Sequence, residues 1–357
     1  MRVTLQDIAQ ATGLSASTVS RALRGYHDIA EETRNKVLEA SARLGYTFPP
    51  GRGAAWRGTE GLGRERGRGR GRGTAPLEHH KLSQLLVFSS NSHQLVVTHD
   101  RVLSGVRDFV SEIGAGLSLL DLDHELPGHM LEMMKAQYLG ALFIMPLIAH
   151  PLIAQCRSHG IPVAVANRSA AMMAPQPVDI AVCADERKVA DLIVSHLIDK
   201  GHKAIAFVAS YPENCMMKTR ALMLKTALTE AGLPVRDDWF LFGTDAHKKN
   251  VPQIFRTAEP PTALVCASDI IALRCIKSLS EAGFSVPDDV SVIGVHDIPI
   301  ATIINPALTT VHIPLRQIGY ETAKQLFHWK PGDQNCRIDV VYQPHLVERD
   351  SVRPLTT

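Results

Sequence analysis

Residues 82–349 consist of short apolar runs that alternate with longer helical stretches, and this alternation restricts the fold more than any other feature. The runs include LLVF, GALFIM, PVAVA, AIAFVA, ALVCA and VSVIGV, and helical stretches between them close on glycine, as helices commonly do. Strands that are apolar throughout are buried on both faces, so the pattern predicts parallel sheets covered by helices. The segment is too long for one doubly wound unit, which predicts two subdomains and a ligand cleft.

The first 46 residues show a different pattern, that of short amphipathic helices. Thr4 can cap a first helix, Gly13 permits a sharp turn after it, and Ser15 with Thr18 can cap a second helix. This order predicts a helix-turn-helix with Val19 in the shared core. A third helix within EETRNKVLEASARLGY is expected to close that core with Val37, Leu38, Ser41 and Leu44.

The second helix lies in LSASTVSRALRG, residues 14–25, which has four hydroxyl side chains and two arginines but few apolar positions. This composition is typical of a recognition helix, whose first turn reaches base edges while hydroxyls and arginines hold phosphates. The plainer alternative is a surface helix with a hydroxyl-rich face.

The overall composition excludes several classes of protein. A formal net charge of +2 is too small for DNA binding by the whole surface, so any DNA contact must be local. Six cysteines without a C-x-x-C pair predict reduced core thiols rather than disulfides or a zinc site. The N-terminus lacks the apolar run of a signal peptide and no apolar stretch is long enough to span a membrane, so we expect a cytoplasmic protein.

Catalytic and metal-binding motifs are missing from the sequence. We find no G-x-S-x-G, no Walker loop and no paired-carboxylate motif. GRGRGRG is not a dinucleotide loop, because no strand precedes it and no helix follows it. The 16 histidines are dispersed. We therefore expect no enzyme activity, no cofactor and no metal.

Two long segments resemble one known family. VTLQDIAQATGLSASTVSRALRG with ETRNKVLEASARLGY resembles the start of LacI/GalR-family repressors, and the segment from PPTALVCASDII to IGYETAKQL resembles the family's C-terminal signature. The resemblance covers the chain except residues 49–81. It implies a dimeric or tetrameric repressor in which a small ligand, usually a sugar or nucleoside, binds between two periplasmic-binding-protein-like subdomains and changes operator affinity.

The resemblance, together with the pattern above, implies a division of the chain. We expect a helix-turn-helix DNA-binding domain at 1–48, a Gly/Arg-rich linker at 49–81, a ligand-binding and dimerisation core at 82–349 and a tail at 350–357. Within the core, subdomain 1 is expected at 82–183 and 313–333, and subdomain 2 at 184–312 and 334–349. No leucine heptad follows the core, which favours a homodimer over a tetramer.

The resemblance also implies which residues contact operator DNA. The positions that match the family's contacts are Thr4, Gln6, Ser15, Ala16, Ser17, Thr18, Ser20, Arg21 and Arg24. Ala16 and Ser17 occupy the two positions that the family varies to choose its operator. Both are small, so we expect weak direct readout of bases at these positions.

The linker departs from the family, which has a short hinge helix that inserts a leucine into the minor groove. This chain has PPGRGAAWRG instead, and Trp56 occupies the position of the inserted residue. The glycines of the segment disfavour a helix. Residues 51–73 contain nine Gly, seven Arg and two Glu. They are either a nonspecific DNA-holding arm or an inert inserted linker, and we favour the second interpretation.

The family's ligand contacts match Asn167, Arg220, Ser268 and His296. We expect the neighbouring Asp269 and Asp297 to orient backbone or cap helices. The family has an Asp at the position of His296, and acids are common at that of Asn167, so the cleft gains positive character that favours a sugar acid over a neutral sugar. The plainer alternatives are a surface arginine at 220 and a structural histidine at 296.

A second class of protein shares the same core. A soluble sugar-binding protein with a non-regulatory or impaired DNA-binding head would show the same alternation in residues 82–349. A transport protein of this class would need an export signal and no DNA-binding head, and the sequence argues against both. The prediction from sequence is therefore a DNA-binding regulator with a small carbohydrate-type ligand.

Overall fold

The computed structural model describes residues 4–23, 33, 36–37, 40, 84–89, 96–121, 128–145, 151–173, 178–210, 215–330 and 336–355. The chain forms two compact units, residues 1–75 and 76–357. Of the predicted features, the linker at 49–81 with Trp56, and also Arg24, Leu38, Ser41 and Leu44, lie outside the described residues.

The first unit contains the predicted helix-turn-helix. Helix α1 spans Leu5–Thr12 and helix α2 spans Ala16–Leu23. Gly13 joins them with a φ of +70°, in the left-handed region where a Cβ would be strained. Residues 33, 36–37 and 40 are helical. The buried core of the unit consists of Ile8, Val19, Ala22, Val37 and Ala40.

The second unit contains two six-stranded sheets, which confirms the predicted pair of α/β subdomains. The first sheet has the order β11-β5-β4-β3-β1-β2 and is entirely parallel. Its strands are β1 Gln84–Ser89, β2 Gly116–Asp121, β3 Ala141–Ile144, β4 Val163–Ala166, β5 Ile180–Ala184 and β11 Ile338–Tyr342.

The second sheet has the order β12-β10-β9-β8-β6-β7 and carries one antiparallel edge strand, β12, next to β10. The predicted parallel sheet is thus confirmed for the other five strands, and β12 adds an antiparallel strand at its edge. Its strands are β6 Ile205–Ala209, β7 Phe240–Phe242, β8 Ala263–Cys266, β9 Ser291–His296, β10 Thr309–His312 and β12 His345–Val347.

Helices cover both sheets. The first subdomain has α3 Val96–Glu112, α4 Gly128–Gln137, α5 Pro151–Ser158 and α11 Leu315–His328. The second has α6 Glu186–Asp199, α7 Cys215–Glu230, α8 Ala246–Lys249, α9 Val251–Ile254 and α10 Asp269–Glu281. Five of the cysteines are buried, as expected of core thiols, and Cys336 is exposed. Among the described helices, none combines the length and apolar character needed to cross a membrane.

The chain passes three times between the subdomains: from β5 to α6, from β10 to α11, and from β11 to β12. The third crossing corrects the predicted division at residues 334–349. Strand β11 pairs with β5 in the first sheet, whereas β12, only two residues later, pairs with β10 in the second. The expectation that the whole of 334–349 belongs to subdomain 2 is therefore wrong for β11. Strand β11 pairs in parallel at the edge of the first sheet. Its residues alternate between half-buried and exposed, as is common for a strand at a sheet edge.

Residues 350–355 are not a tail, because they pack on the second sheet. Ser351 is fully buried; its hydroxyl donates to the Val292 carbonyl at 2.6 Å and accepts the Thr309 N–H at 2.9 Å. The Leu355 N–H donates to the Lys200 carbonyl at 2.8 Å. These bonds satisfy backbone groups that an unpacked end would leave to water.

Helices α3 and α11 touch backbone to backbone through two glycines. A Cβ on Gly319 would lie 1.9 Å from the Val102 carbonyl oxygen, and a Cβ on Gly105 would lie 1.8 Å from the Arg316 carbonyl oxygen. No side chain fits at either position. This contact seats α11, which leads away from the second crossing, on the first subdomain.

We expect Gly319→Ala to destabilise the core by about 1–3 kcal/mol or more, because the added methyl group forces the two helix backbones apart. Denaturant unfolding followed by circular dichroism measures this change. Ser111→Ala, on the exposed side of α3, is the control and should leave the midpoint unchanged. An unchanged midpoint for Gly319→Ala would contradict the close contact.

Candidate functional site

The first turn of α2 presents a row of small polar groups to solvent. Ser15, Ala16 and Ser17 are exposed and Thr18 is half-buried, while Val19 on the opposite face is fully buried. The spacing of the α-helix separates these two faces. The helix thus packs on α1 through one face and leaves its first turn accessible.

Ser15 organises this turn. Its hydroxyl accepts the Thr18 N–H at 3.0 Å, which caps the helix, and it lies 2.7 Å from the Ser17 hydroxyl and 2.8 Å from that of Thr18. Three hydroxyl groups therefore form one hydrogen-bonded cluster. Ser17 stands at its exposed edge, where its remaining hydrogen-bonding capacity faces solvent.

Thr4 and Gln6 lie at the start of α1, and both are exposed. The Thr4 N–H and hydroxyl both donate to the Asp7 carboxylate at 2.7 Å. These bonds lower the pKa of Asp7, with the hydroxyl bond as the larger cause. Ser20 and Arg21 belong to α2, and their side chains are outside the described part of the structure.

A second group of polar residues gathers where strands of both sheets end. It is here called the strand-end cluster, and its members are Arg101, Asn167, Arg168, Glu186, Arg220 and His296. Asn167 and Arg168 follow β4, His296 ends β9, Arg101 lies on α3, Glu186 begins α6, and Arg220 lies on α7. All except Arg101 are at most 7% exposed. Both subdomains contribute, so the cluster lies between them.

Strained backbone marks the same place. Four non-glycine residues in the described ranges have positive φ angles: Met145 at 48°, Asn167 at 57°, His296 at 114° and Asp297 at 54°. Each is at the end of a strand or directly after one. Such conformations cost free energy and tend to accumulate at functional sites, where they aim side chains into a cleft.

Arg220 is paired with a carboxylate that the sequence reasoning missed. Its Nε and Nη2 donate to the two oxygens of Glu186 at 2.8 and 2.6 Å, and its Nη1 donates to the Ala267 carbonyl at 2.5 Å. Arg220 is 2% exposed, so the interpretation as a surface arginine is wrong. The positive character expected of the cleft is reduced at Arg220, since Glu186 neutralises its charge.

Arg168 is the second residue that the sequence reasoning missed. It is 2% exposed and donates to the carbonyls of Asn167 at 2.8 Å and Met145 at 3.3 Å, while its Nε has no hydrogen-bond partner among the described residues. Burial is the main cause that lowers its pKa. A charged residue directly after an apolar strand, in PVAVANR, was the signal that could have identified it.

His296 is buried beside three arginines. Burial lowers its pKa well below the ordinary value, and the charges of Arg220, Arg101 and Arg168 lower it further, so the ring is neutral at pH 7. Its Nδ1 is buried and has no partner within the described ranges. One ring nitrogen of His296 is thus buried without a hydrogen bond in this part of the structure.

Ser268 and the two neighbouring aspartates serve the scaffold. The Ser268 hydroxyl accepts the Ile271 N–H at 3.4 Å and caps α10. The Asp269 carboxylate accepts the Ile298 N–H at 2.9 Å and the Thr310 hydroxyl at 2.5 Å, and burial raises its pKa to about 6. Asp297 accepts from Arg349 at 2.5 Å. Both aspartates thus hold backbone and neighbouring strands, as the sequence led us to expect.

One contact joins the subdomains at the cluster. Arg101 Nη1, from the first subdomain, donates to the Asp297 carbonyl of the second at 2.7 Å. The contact is adjacent to His296 in the chain. No group of three His, Cys, Asp or Glu side chains in the described part of the chain is arranged to hold a metal ion.

Comparison with known proteins gives two family matches. Residues 4–48 match the model for bacterial regulatory proteins of the lacI family, and residues 194–352 match the model for a periplasmic binding protein-like domain. The first match contains α1 and α2. The second contains most of the second subdomain together with α11, β11 and β12.

Relatives extend over the whole chain. Catabolite control protein A of Priestia megaterium is 28% identical over 356 residues, covering 98% of each chain. The transcriptional repressor PurR of Photobacterium profundum is 26% identical over 362 residues, covering 99% of each. Among solved structures, the transcriptional regulator CelR in its cellobiose complex has a TM-score of 0.67 at 23% identity, covering 98% of this chain and 100% of that one.

The lac repressor dimer bound to operator and an anti-inducer also has the same fold. Its TM-score is 0.65 at 21% identity, with 99% of this chain and 100% of that chain covered. The two structural matches show the same fold, and the two family models identify its parts as a lacI-type segment and a periplasmic binding protein-like domain.

We expect Glu186→Gln to destabilise the protein by about 3–5 kcal/mol, because it leaves the buried Arg220 charge without a carboxylate. Denaturant unfolding measures the difference. Glu230→Gln, which removes an exposed partner of Arg187, is the matched control and should cause no measurable change. Equal stability of Glu186→Gln and the native protein would show that Arg220 does not depend on this pair.

Proposed function

We propose that this chain, which belongs to the LacI family of bacterial regulatory proteins, is a transcriptional repressor that binds operator DNA as a homodimer and responds to a small carbohydrate-type effector. The observation that carries the proposal is the exposed first turn of α2, lined by Ser15, Ala16 and Ser17, within the segment matched by the lacI-family model. A protein with this function works where its DNA is, in the cytoplasm.

The first turn of α2 suits entry into the major groove. Two copies related by a two-fold axis would place two such helices on two half-sites. The Ala16 methyl group can contact a thymine methyl, and the Ser17 hydroxyl can make one hydrogen bond to a base edge. Because these groups discriminate weakly, we infer that phosphate contacts by Arg21 and Arg24 and the shape of the DNA contribute much of the affinity.

We expect Arg21→Ala to weaken binding to all operator variants about equally and to reduce the salt slope of log K by about 1, since a phosphate contact is lost. Ser17→Gln should change the preferred base, because glutamine can make two hydrogen bonds to adenine. Gel shifts on DNA selected from a random pool measure both effects.

Lys36→Ala is the control, because it removes one charge from the same unit at an exposed position outside α2. Unaltered binding by both Arg21→Ala and Ser17→Gln would contradict the assignment of α2. Binding of a sugar without selection of any DNA would favour the alternative, a sugar-binding protein with an impaired head.

The strand-end cluster is the proposed effector site. It contains three arginines and one carboxylate, Glu186, so its formal charge is positive even after the Arg220 pair is counted. Arg168 Nε and His296 Nδ1 are buried without partners in the described residues, and buried polar atoms of this kind usually meet a ligand or water. An acidic carbohydrate satisfies both the charge and the two atoms, which supports a sugar acid as the effector.

Pairing of Arg220 with Glu186 shifts the proposed anion contact to Arg168. A carboxylate of the effector would accept from Arg168 Nε, while a hydroxyl group would bond to His296. Asn167 adds an amide to the same wall. Arg101 and its bond to the Asp297 carbonyl would then transmit the presence of the effector from one subdomain to the other.

We expect His296→Asp to lower affinity for an aldonic acid by about a hundredfold or more, because two like charges in a buried site repel by several kcal/mol. Calorimetry compares the acid with its parent aldose, for example gluconate and glucose. His328→Asp, with the same charge change at an exposed position, should leave both affinities unchanged. Tighter binding of the neutral sugar by the native protein would defeat the sugar-acid proposal and leave the repressor proposal standing.

A further inference from the structure

We propose that the second subdomain carries a separate oxyanion site, in a cavity between α8 and α10, that binds the phosphate group of a small phosphorylated metabolite or free phosphate. The cavity has a volume of about 290 Å³. It is lined by His247, Lys248, Arg274, Lys277, Ser278 and Glu281. None of these residues belongs to the strand-end cluster.

The charge of the cavity is strongly one-sided. Lys248, Arg274 and Lys277 are cationic and Glu281 is the single carboxylate of the lining, so the formal charge is +2. Glu281 faces Lys277, with a distance of 3.8 Å between Oε1 and Nζ. Among the described residues, Lys248 forms no ion pair, and the nearby Asp245 faces Lys249 instead, with a distance of 3.6 Å between Oδ2 and Nζ. Lys248 is exposed and therefore accessible to an anion.

Hydrogen-bond donors accompany the cations. His247 is half-buried in the wall, and burial, followed by the charges of Arg274 and Lys248, lowers its pKa. The His247 ring already bonds to the Thr244 backbone, whereas Ser278 offers a hydroxyl group. Ammonium, guanidinium and hydroxyl donors that line one space are groups that recognise a phosphate dianion.

The size of the cavity limits the ligand. Pockets for drug-sized molecules usually begin at about 300 Å³. This cavity is at the lower end of that range, which suits a phosphate group with a short attached body. Two sources share this chemistry, namely inorganic phosphate and a small phosphate ester.

The test is calorimetry on the full chain with inorganic phosphate and with glycerol 3-phosphate, with glycerol as the uncharged comparison and chloride at matched ionic strength. We expect both phosphates to bind and glycerol not to bind. Lys248→Gln should weaken binding of both phosphates by about tenfold, because a hydrogen bond to a charged group is lost. Glu281→Gln should tighten it, because the opposing carboxylate is removed.

Lys203→Gln is the matched control, since it removes one exposed lysine of the same subdomain outside the cavity and should leave phosphate affinity unchanged. Circular dichroism verifies that each variant is folded. Tighter binding of glycerol 3-phosphate than of phosphate would support an ester as the occupant, and equal binding would support free phosphate.

Absence of binding at millimolar concentration of either phosphate would overturn the site. The same holds if Arg168→Gln abolishes phosphate binding while Lys248→Gln behaves like Lys203→Gln, because the phosphate then lies at the strand-end cluster. Either failure would leave the proposals for DNA and for the sugar-acid effector untouched, since these depend on other residues and other measurements.

Discussion

The three crossings between the two sheets hold the strand-end cluster in place. The Asp185 N–H, at the first crossing, donates to the carbonyl of Tyr342, at the third crossing, with a distance of 3.0 Å. The residue after Asp185 is Glu186, which binds Arg220. At the second, His312 Nδ1 lies 3.0 Å from the Asp297 carboxylate, and its ring stacks on that of His345, which follows the third crossing. The crossings are thus tied to one another, and a rotation of one subdomain must move the residues of the cluster.

Buried charge explains why the cluster is suited to binding. Buried ions and polar groups are costly unless they are paired or hydrogen-bonded. The fold achieves this fully for Arg220 but only in part for Arg168 and for the neutral ring of His296. The unpartnered buried atoms and the positive φ angles nearby each cost the folded protein free energy. A ligand that bonds to the unpartnered atoms would offset part of this cost.

The sequence predicted the elements well because their signals are local. The runs LLVF, AIAFVA and VSVIGV became β1, β6 and β9, and the caps at Thr4 and Ser15 opened α1 and α2. Strand β11 and residues 350–355 were misassigned because their partners lie far away along the chain: Ile338 pairs with Ile180, and Ser351 bonds to Val292 and Thr309. The local pattern of apolar residues does not indicate either pairing.

The period of the apolar residues, the turn at Gly13 and the hydroxyl-rich start of α2 are properties of the sequence alone, because each depends on neighbours within a few residues. The charge state of the cleft was decided by the tertiary structure. Arg220 meets a glutamate 34 positions away, and Arg101 reaches a carbonyl 196 positions away. Electrostatic energy depends on distance in space and on burial, and neither quantity can be read from the order of the residues.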